Sequence, residues 1–316
     1  MALAFIFPGQ GSQSVGMGRA LAEQFGSARA IFEEVDDALG QNLSKLMAGG
    51  PIEDITLTEN AQPALMACSM AAMAVLKSDF DIDVSAAKYV AGHSLGEYSA
   101  LCAAGVIGLS DTAKLLKLRG KSMQKAVAPG VGAMAALLGA TPQDALAACE
   151  AGSKFGICQV ANDNATGQIV LSGEKAAVQA AATYAEENGV KKAIMLAVSA
   201  PFHCSLMQSA AEAMKDALAD TALNVPIVPV VNNVTARPTS DTDQIRDDLV
   251  AQVTGKVRWR ESIEWMASEE GGVSAFAEPG TGKVLTVMLK RIVKGVSGTS
   301  LDTPEKMESF AQNLKG

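Results

Sequence analysis

The chain has 316 residues, 48% of them hydrophobic and 19% charged, with a formal net charge of -8. That size and balance suit a globular protein of one large or two smaller domains and exclude disordered, collagenous and coiled-coil classes. An acidic chain lacks the cationic surface that phosphate neutralisation needs, so no nucleic-acid partner is expected.

Residues 3–7 read as a short buried strand that ends in the turn-rich loop Pro8-Gly9-Gln10-Gly11-Ser12-Gln13. Apolar residues at helical spacing predict a helix over 18–40, stopped by Gly40. An Ala/Met-rich helix follows over 61–78, its methionines reading as core filling. A strand over 88–91 leads into a helix over 95–104, and a lysine-rich helix covers 111–127. The pattern then changes. A strand over 132–138 precedes a helix with Thr141 as N-cap and Pro142 in its first turn. Strands over 157–161 and 168–172 flank an Asn/Gly turn, followed by a helix over 174–188 and a strand over 191–198. Strand-helix-strand-strand-helix-strand is the ferredoxin-like order. Helices over 205–219, 243–252, 259–269 and 282–293 and strands over 227–231 and 273–277 complete the chain. The expected fold is α/β: a larger α/β domain over 1–128 and 199–316, with a ferredoxin-like subdomain over 129–198 inserted in it.

Five cysteines, Cys68, Cys102, Cys149, Cys158 and Cys204, include no CxxC pair. An odd number without metal spacing reads as reduced, buried thiols, with no disulfide framework and no metal site. The apolar runs are broken well short of a bilayer span, and Leu3–Phe7 is too short and lacks the basic lead of a signal peptide. A cytoplasmic protein without membrane association is expected.

Gly92-His93-Ser94-Leu95-Gly96 is a GxSxG between a predicted strand and a predicted helix, the context of a nucleophile elbow. Glycine two before and two after the serine lets strand and helix pass closely. The hydroxyl then projects at a helix N-terminus, where the Leu95 N–H and the helix dipole can stabilise an oxyanion. A serine hydroxyl needs a base, and only two histidines exist. His93 adjoins Ser94 in sequence and must point away from its hydroxyl, which leaves it to packing or to shaping the pocket. His203 follows a predicted strand and precedes a helix, where catalytic groups gather. Two decoys fall away. Gly9-Gln10-Gly11 has Ser14 at the third glycine of a dinucleotide fingerprint, and Gly280-Thr281-Gly282-Lys283 has Val284 where a phosphate loop needs a hydroxyl and Ala277 where it needs its first glycine. On the residues alone, Arg119 among Lys114, Lys117, Lys121 and Lys125 reads as a solvated helix residue. A serine esterase or thioesterase, or a catalytically silent docking module, remains open at this point, although no HGGG-type oxyanion loop occurs.

The order and spacing of Phe7-Pro8-Gly9-Gln10-Gly11-Ser12-Gln13, Gly92-His93-Ser94-Leu95-Gly96-Glu97-Tyr98, Arg119-Gly120, Phe202-His203 and Pro279-Gly280, together with the stretch Val230-Val231-Asn232-Asn233-Val234, resemble the malonyl-CoA:acyl carrier protein transacylases along essentially the whole chain. The resemblance implies an α/β-hydrolase-like core with a short parallel sheet and the inserted ferredoxin-like unit. It implies Ser94 as the acyl-accepting nucleophile, His203 as general base, backbone N–H groups of Gln10 and Leu95 as the oxyanion hole, and Arg119 as the grip on the malonyl carboxylate. It implies that Gln252 offers its backbone carbonyl to His203 in place of a triad carboxylate, although Ala251-Gln252-Val253-Thr254-Gly255 departs from the more usual Asn-Pro downstream. Gln62 would line the pocket, and Phe202 before His203 matches related domains that prefer malonyl over methylmalonyl groups. Malonyl transfer to acyl carrier protein for fatty-acid synthesis, by a ping-pong route with no cofactor, is the implied function; separately, a monomer is expected. Because carrier proteins of such systems are acidic and so is this chain, docking needs a local basic face. Residues 112–127 and 281–295 each carry several Lys/Arg and no acid, and Lys290 and Arg291 of the second mark the expected face.

Overall fold

Five consecutive apolar residues make Leu3–Phe7 a strand, and all five are buried. In the computed structural model, which describes residues 2–198 and 200–315, this strand lies inside a six-stranded sheet. The order is Ser297–Leu301, Ala275–Pro279, Leu3–Phe7, Ala87–Gly92, Val230–Val231 and Pro238–Thr239. The first five run parallel and only the last is antiparallel. A parallel strand is covered on both faces, so it alternates between two cores rather than between core and water. Leu3, Phe5 and Phe7 pack with the helix Thr58–Phe80, while Ala4 and Ile6 pack with Trp259, Ile263 and Leu285 from the opposite layer.

The second sheet has four antiparallel strands in the order Cys158–Ala165, Gln168–Glu174, Gly132–Leu138 and Lys192–Met195. Helices Pro142–Gly152 and Lys175–Glu187 pack on one face through Ala145, Ala148, Ala177 and Ala181. Thr141 caps the first of them as expected: its Oγ1 accepts the Asp144 N–H at 3.2 Å, and the Asp144 carboxylate accepts the Thr141 N–H at 2.8 Å. The strand Cys158–Ala165 also reaches the other layer. Val257 N–H donates to Ala161 O at 2.8 Å, and Asp163 N–H donates to Val257 O at 2.9 Å. Arg260 grips the Asp163 carboxylate with Nε at 3.0 Å and Nη2 at 2.8 Å, a fork-to-fork pair.

Several expected boundaries move. The helix over 18–40 is two helices, Arg19–Gln24 and Gly26–Leu39, because Phe25 is extended; Gly40 caps the second in the left-handed region at φ 57°. The strand over 227–231 shrinks to Val230–Val231, since Pro229 has no N–H to donate, although its carbonyl still accepts the Val90 N–H at 3.1 Å. The strand over 191–198 is only Lys192–Met195, and that over 273–277 is shifted to Ala275–Pro279. Helices Leu43–Gly49, Ile52–Thr56 and Pro304–Lys315 and strands Pro238–Thr239 and Ser297–Leu301 were not legible in the pattern. The expected domain limits at residues 1, 199 and 316 lie outside the described residues. Among the described residues, no helix is long and apolar enough to cross a membrane.

Candidate active site

Ser94 sits between the strand Ala87–Gly92 and the helix Leu95–Ala103 with φ 54° and ψ -110°, a conformation that non-glycine residues avoid. The flanking glycines leave no alternative. A Cβ on Gly92 would lie 1.9 Å from the Gly96 carbonyl, and one on Gly96 would lie 2.2 Å from Phe7 O. Asn233 bridges the turn. Its Oδ1 accepts the Ser94 N–H at 2.7 Å, and its Nδ2 donates to Gly92 O at 2.7 Å. Asn233 is fully buried, so these bonds are made away from competing water.

Ser94 Oγ lies 2.7 Å from His203 Nε2, and His203 Nδ1 lies 2.9 Å from Gln252 O. A backbone carbonyl only accepts, so Nδ1 carries the proton and Nε2 is left to receive one from the serine. Among the described residues, four non-glycine positions have positive φ, and two of them are Ser94 and His203, the facing pair. Burial lowers the His203 imidazole to about 3, with the Arg119 charge adding to it, so the ring is neutral at pH 7. His93 faces elsewhere: its Nε2 lies 2.7 Å from Asn164 Oδ1, and its ring meets Trp259 edge-on at 5.6 Å.

Arg119, on the helix Leu109–Lys125, is only 1% exposed, whereas Lys114, Lys121 and Lys125 face solvent. The solvated reading is thereby overturned: Arg119 occupies the inward face of that helix, where buried Leu115, Leu116 and Met123 also lie. Its Nη1 donates to Gln62 Oε1 at 2.7 Å, and its Nη2 to Gln252 Oε1 at 2.8 Å and to Ser94 Oγ at 3.2 Å. Nε has no hydrogen-bond partner among the described residues. The guanidinium lies 5.7 Å from the Tyr98 ring centre. Gln62 is held in turn by Thr58 Oγ1 at 2.9 Å, which itself donates to Gln10 Oε1 at 3.1 Å. Gln252 Nε2 donates to Ser94 O at 2.9 Å and to Glu97 Oε2 at 2.7 Å. Burial pushes the Glu97 carboxyl up to about 8.

Asn233, Glu97 and Thr58 were assigned no role from sequence. Glu97 had a signal. It is the only charged residue in the helix Leu95–Ala103 and lies three residues after the nucleophile, a spacing that returns a side chain to the same face. Asn233 lies in a stretch that carries the resemblance but has no role there, and Thr58 has no signal, because both meet the site from distant parts of the chain.

A cavity of about 340 Å³ is lined by Gln10, Gln62, Ser94, Leu95, Arg119, Phe202 and His203. Seven of the eight expected site residues therefore share one pocket, and Gln252 stands behind it. Asn162, Asn164 and Val170 from the four-stranded sheet form another wall, so the site lies between the two sheets. The Ser94 N–H is committed to Asn233, and Leu95 and Gln10 both line the cavity. The helix Val284–Ile292 contributes Val284, Leu285 and Met288 to the cavity and exposes Lys290 and Arg291 beyond it. Among the described residues, no cluster of His, Cys, Asp or Glu could hold a metal ion.

Residues 4–302 match the acyl transferase domain family. The chain is 42% identical over 304 residues to the malonyl CoA-acyl carrier protein transacylase of Escherichia coli (strain K12), covering 96% of this chain and 97% of the relative. It is also 42% identical to the protein of that name from Bacillus subtilis (strain 168), covering 99% and 97%. An acyl-carrier-protein-S-malonyltransferase from Bartonella henselae superposes with a TM-score of 0.97 at 52% identity over the whole of both chains. A malonyl-transacylase solved in complex with its type II PKS acyl-carrier protein superposes with a TM-score of 0.95 at 39% identity, covering 99% of this chain and 100% of that one.

Proposed function

The chain belongs to the malonyl-CoA–acyl carrier protein transacylases of the acyl transferase domain family, and from that membership we propose that it moves a malonyl group from coenzyme A to the phosphopantetheine thiol of acyl carrier protein through a malonyl-Ser94 ester. It is an acyltransferase. The observation that carries the reading is the convergence on one hydroxyl: His203 Nε2 at 2.7 Å and the Arg119 fork at 3.2 Å from Ser94 Oγ.

Ser94 Oγ attacks the thioester carbon while Nε2 takes its proton. The imidazolium is held by Nδ1–H to the Gln252 carbonyl, a neutral acceptor where a triad has a carboxylate. The carbonyl oxygen becomes an oxyanion on the N–H groups of Leu95 and Gln10. Collapse breaks the C–S bond, and the coenzyme A sulfur leaves with the proton from Nε2. The carrier-protein thiol then gives its proton to Nε2, attacks the ester, and the steps reverse, a ping-pong sequence. Arg119 takes the malonyl carboxylate in place of its contact with Ser94 Oγ, while Gln62 and Gln252 keep the guanidinium aimed. Phe202 limits the space beside the acyl chain. No step needs a metal or a redox cofactor.

The six-stranded layer is an α/β-hydrolase-like core over 1–128 and 199–316, and the strand order of the four-stranded sheet supports a ferredoxin-like insertion over 129–198. The chain works in the cytoplasm as a monomer, supplying extender units for fatty-acid synthesis. Acyl carrier protein docks where Lys290 and Arg291 border the pocket helix. Incubation with malonyl-CoA, with and without carrier protein, tests the reading: malonyl-carrier protein should form and free malonate should stay low in both, whereas equal malonate release in both would mark a hydrolase.

A further inference from the structure

We infer that Glu97 is a positioning residue that fixes which end of the Gln252 amide meets Arg119, and so sets the preference for acyl groups that carry a carboxylate. The inference rests on the role proposed for Arg119. Glu97 is 2% exposed and does not line the cavity, so it acts on substrate only through other residues.

A guanidinium can only donate hydrogen bonds, so Arg119 Nη2 requires an oxygen opposite it. Gln252 presents Oε1 there, at 2.8 Å. The other end of the same amide, Nε2, faces three acceptors, Ser94 O at 2.9 Å, Glu97 Oε2 at 2.7 Å and, at the long limit, Asn233 Oδ1 at 3.5 Å. Turning the amide over would set an NH2 against the guanidinium and an oxygen against three oxygens. Glu97 supplies the shortest of the bonds that prevent this. The same Oε2 accepts the Asn233 N–H at 3.1 Å, so one carboxyl oxygen ties the two residues that hold the elbow and the arginine. Its neighbours on the helix, including Leu95, Tyr98, Ala100 and Leu101, are buried and apolar. A carboxyl group there is costly unless its acceptor capacity is used. That capacity persists in either protonation state, because two N–H groups occupy Oε2 and the proton of the neutral acid therefore sits on Oε1. The Gln252 bond to His203, by contrast, is made by the main chain and does not depend on the side-chain amide. Loss of Glu97 therefore strikes the arginine harder than the base.

The experiment compares the first-turnover acylation of Ser94 by malonyl-CoA and acetyl-CoA, read by intact mass, in Glu97→Met, Glu97→Gln, Gln252→Met and Arg119→Ala. Glu97→Met should lower the malonyl-to-acetyl rate ratio by at least about ten-fold, the worth of one hydrogen bond to a charged group. Glu97→Gln can accept the same two bonds through its amide oxygen and should restore the ratio. Gln252→Met removes the amide but keeps the carbonyl, and should repeat the loss; it also decides the matter if Glu97→Met shows no cooperative melt. If the two acyl groups slow by one common factor in Glu97→Met or Gln252→Met while Arg119→Ala loses the ratio, Glu97 is merely structural and the inference is overturned, with Arg119 unaffected. A ratio unchanged in Arg119→Ala overturns the role of the arginine, and the inference with it.

Discussion

The pocket has two walls built on opposite principles. The elbow wall is local in sequence: Gly92, Ser94 and Gly96 lie within five residues, and backbone of Gly96 at 1.9 Å and of the neighbouring strand at Phe7 at 2.2 Å from any added Cβ dictates the two glycines. The arginine wall is dispersed: Thr58, Gln62, Arg119 and Gln252 come from three helices and meet only through side-chain hydrogen bonds. A local wall fails as a unit when its backbone is disturbed. A dispersed wall can lose one function and keep another. Substitutions in the two walls should therefore differ in kind as well as in size.

The largest effect is expected at the elbow backbone. Gly92→Ala places a Cβ against the Gly96 main chain, which cannot give way as a side-chain tip could. A loss of more than about 4 kcal/mol in stability, or failure to fold, should follow, as seen by chemical denaturation. A variant that melts like the parent would show that the strand and helix are not so tightly pressed. Next comes the base. His203→Ala should slow acylation of Ser94 by roughly 100- to 10,000-fold with the fold retained, and His93→Ala should slow it far less. Equal losses in a stopped-flow thiol-release assay would mean that the wrong histidine has been given the proton.

The arginine wall should give the split outcome. Arg119→Ala leaves the malonyl carboxylate in a partly dry pocket without a partner, which is expensive for a charge, whereas acetyl has no charge to satisfy. Malonyl transfer should fall much more than acetyl transfer in parallel kcat/KM measurements, and an equal fall would place selectivity elsewhere. Smallest and most conditional is the docking face. Lys290→Glu with Arg291→Glu should slow transfer to carrier protein more at low salt than at high salt, because exposed charges are screened. Self-acylation should be nearly unchanged, since neither residue lines the cavity. Unimpaired transfer at low salt would move the docking face away from this helix.

The same contrast explains what was legible in the sequence. The elbow, the capped helix at Thr141 and the buried strand Leu3–Phe7 are set by neighbouring residues, so spacing alone reveals them. Arg119 could not be placed by spacing, because four lysines on the same helix resemble its surroundings until the helix is packed and turns one face inward. Only the family resemblance pointed to it. Asn233 holds the Ser94 N–H from 139 positions away, a bond that no local pattern encodes. Pro304–Lys315 and Ser297–Leu301 were missed for another reason. Ser297–Leu301 is a mostly exposed edge strand that begins Ser-Gly-Thr-Ser, and it lacks the apolar run that marks the strands inside the sheet.

The central claim is that Ser94 takes the acyl group and that the pocket is built to hold a carboxylate beside it. The intact mass of the protein after mixing with malonyl-CoA in the absence of carrier protein tests it most directly. One malonyl group should add to the parent chain, none to Ser94→Ala, and the adduct should be discharged by carrier protein. A malonyl adduct that persists in Ser94→Ala, or complete turnover without any covalent species, would contradict the account.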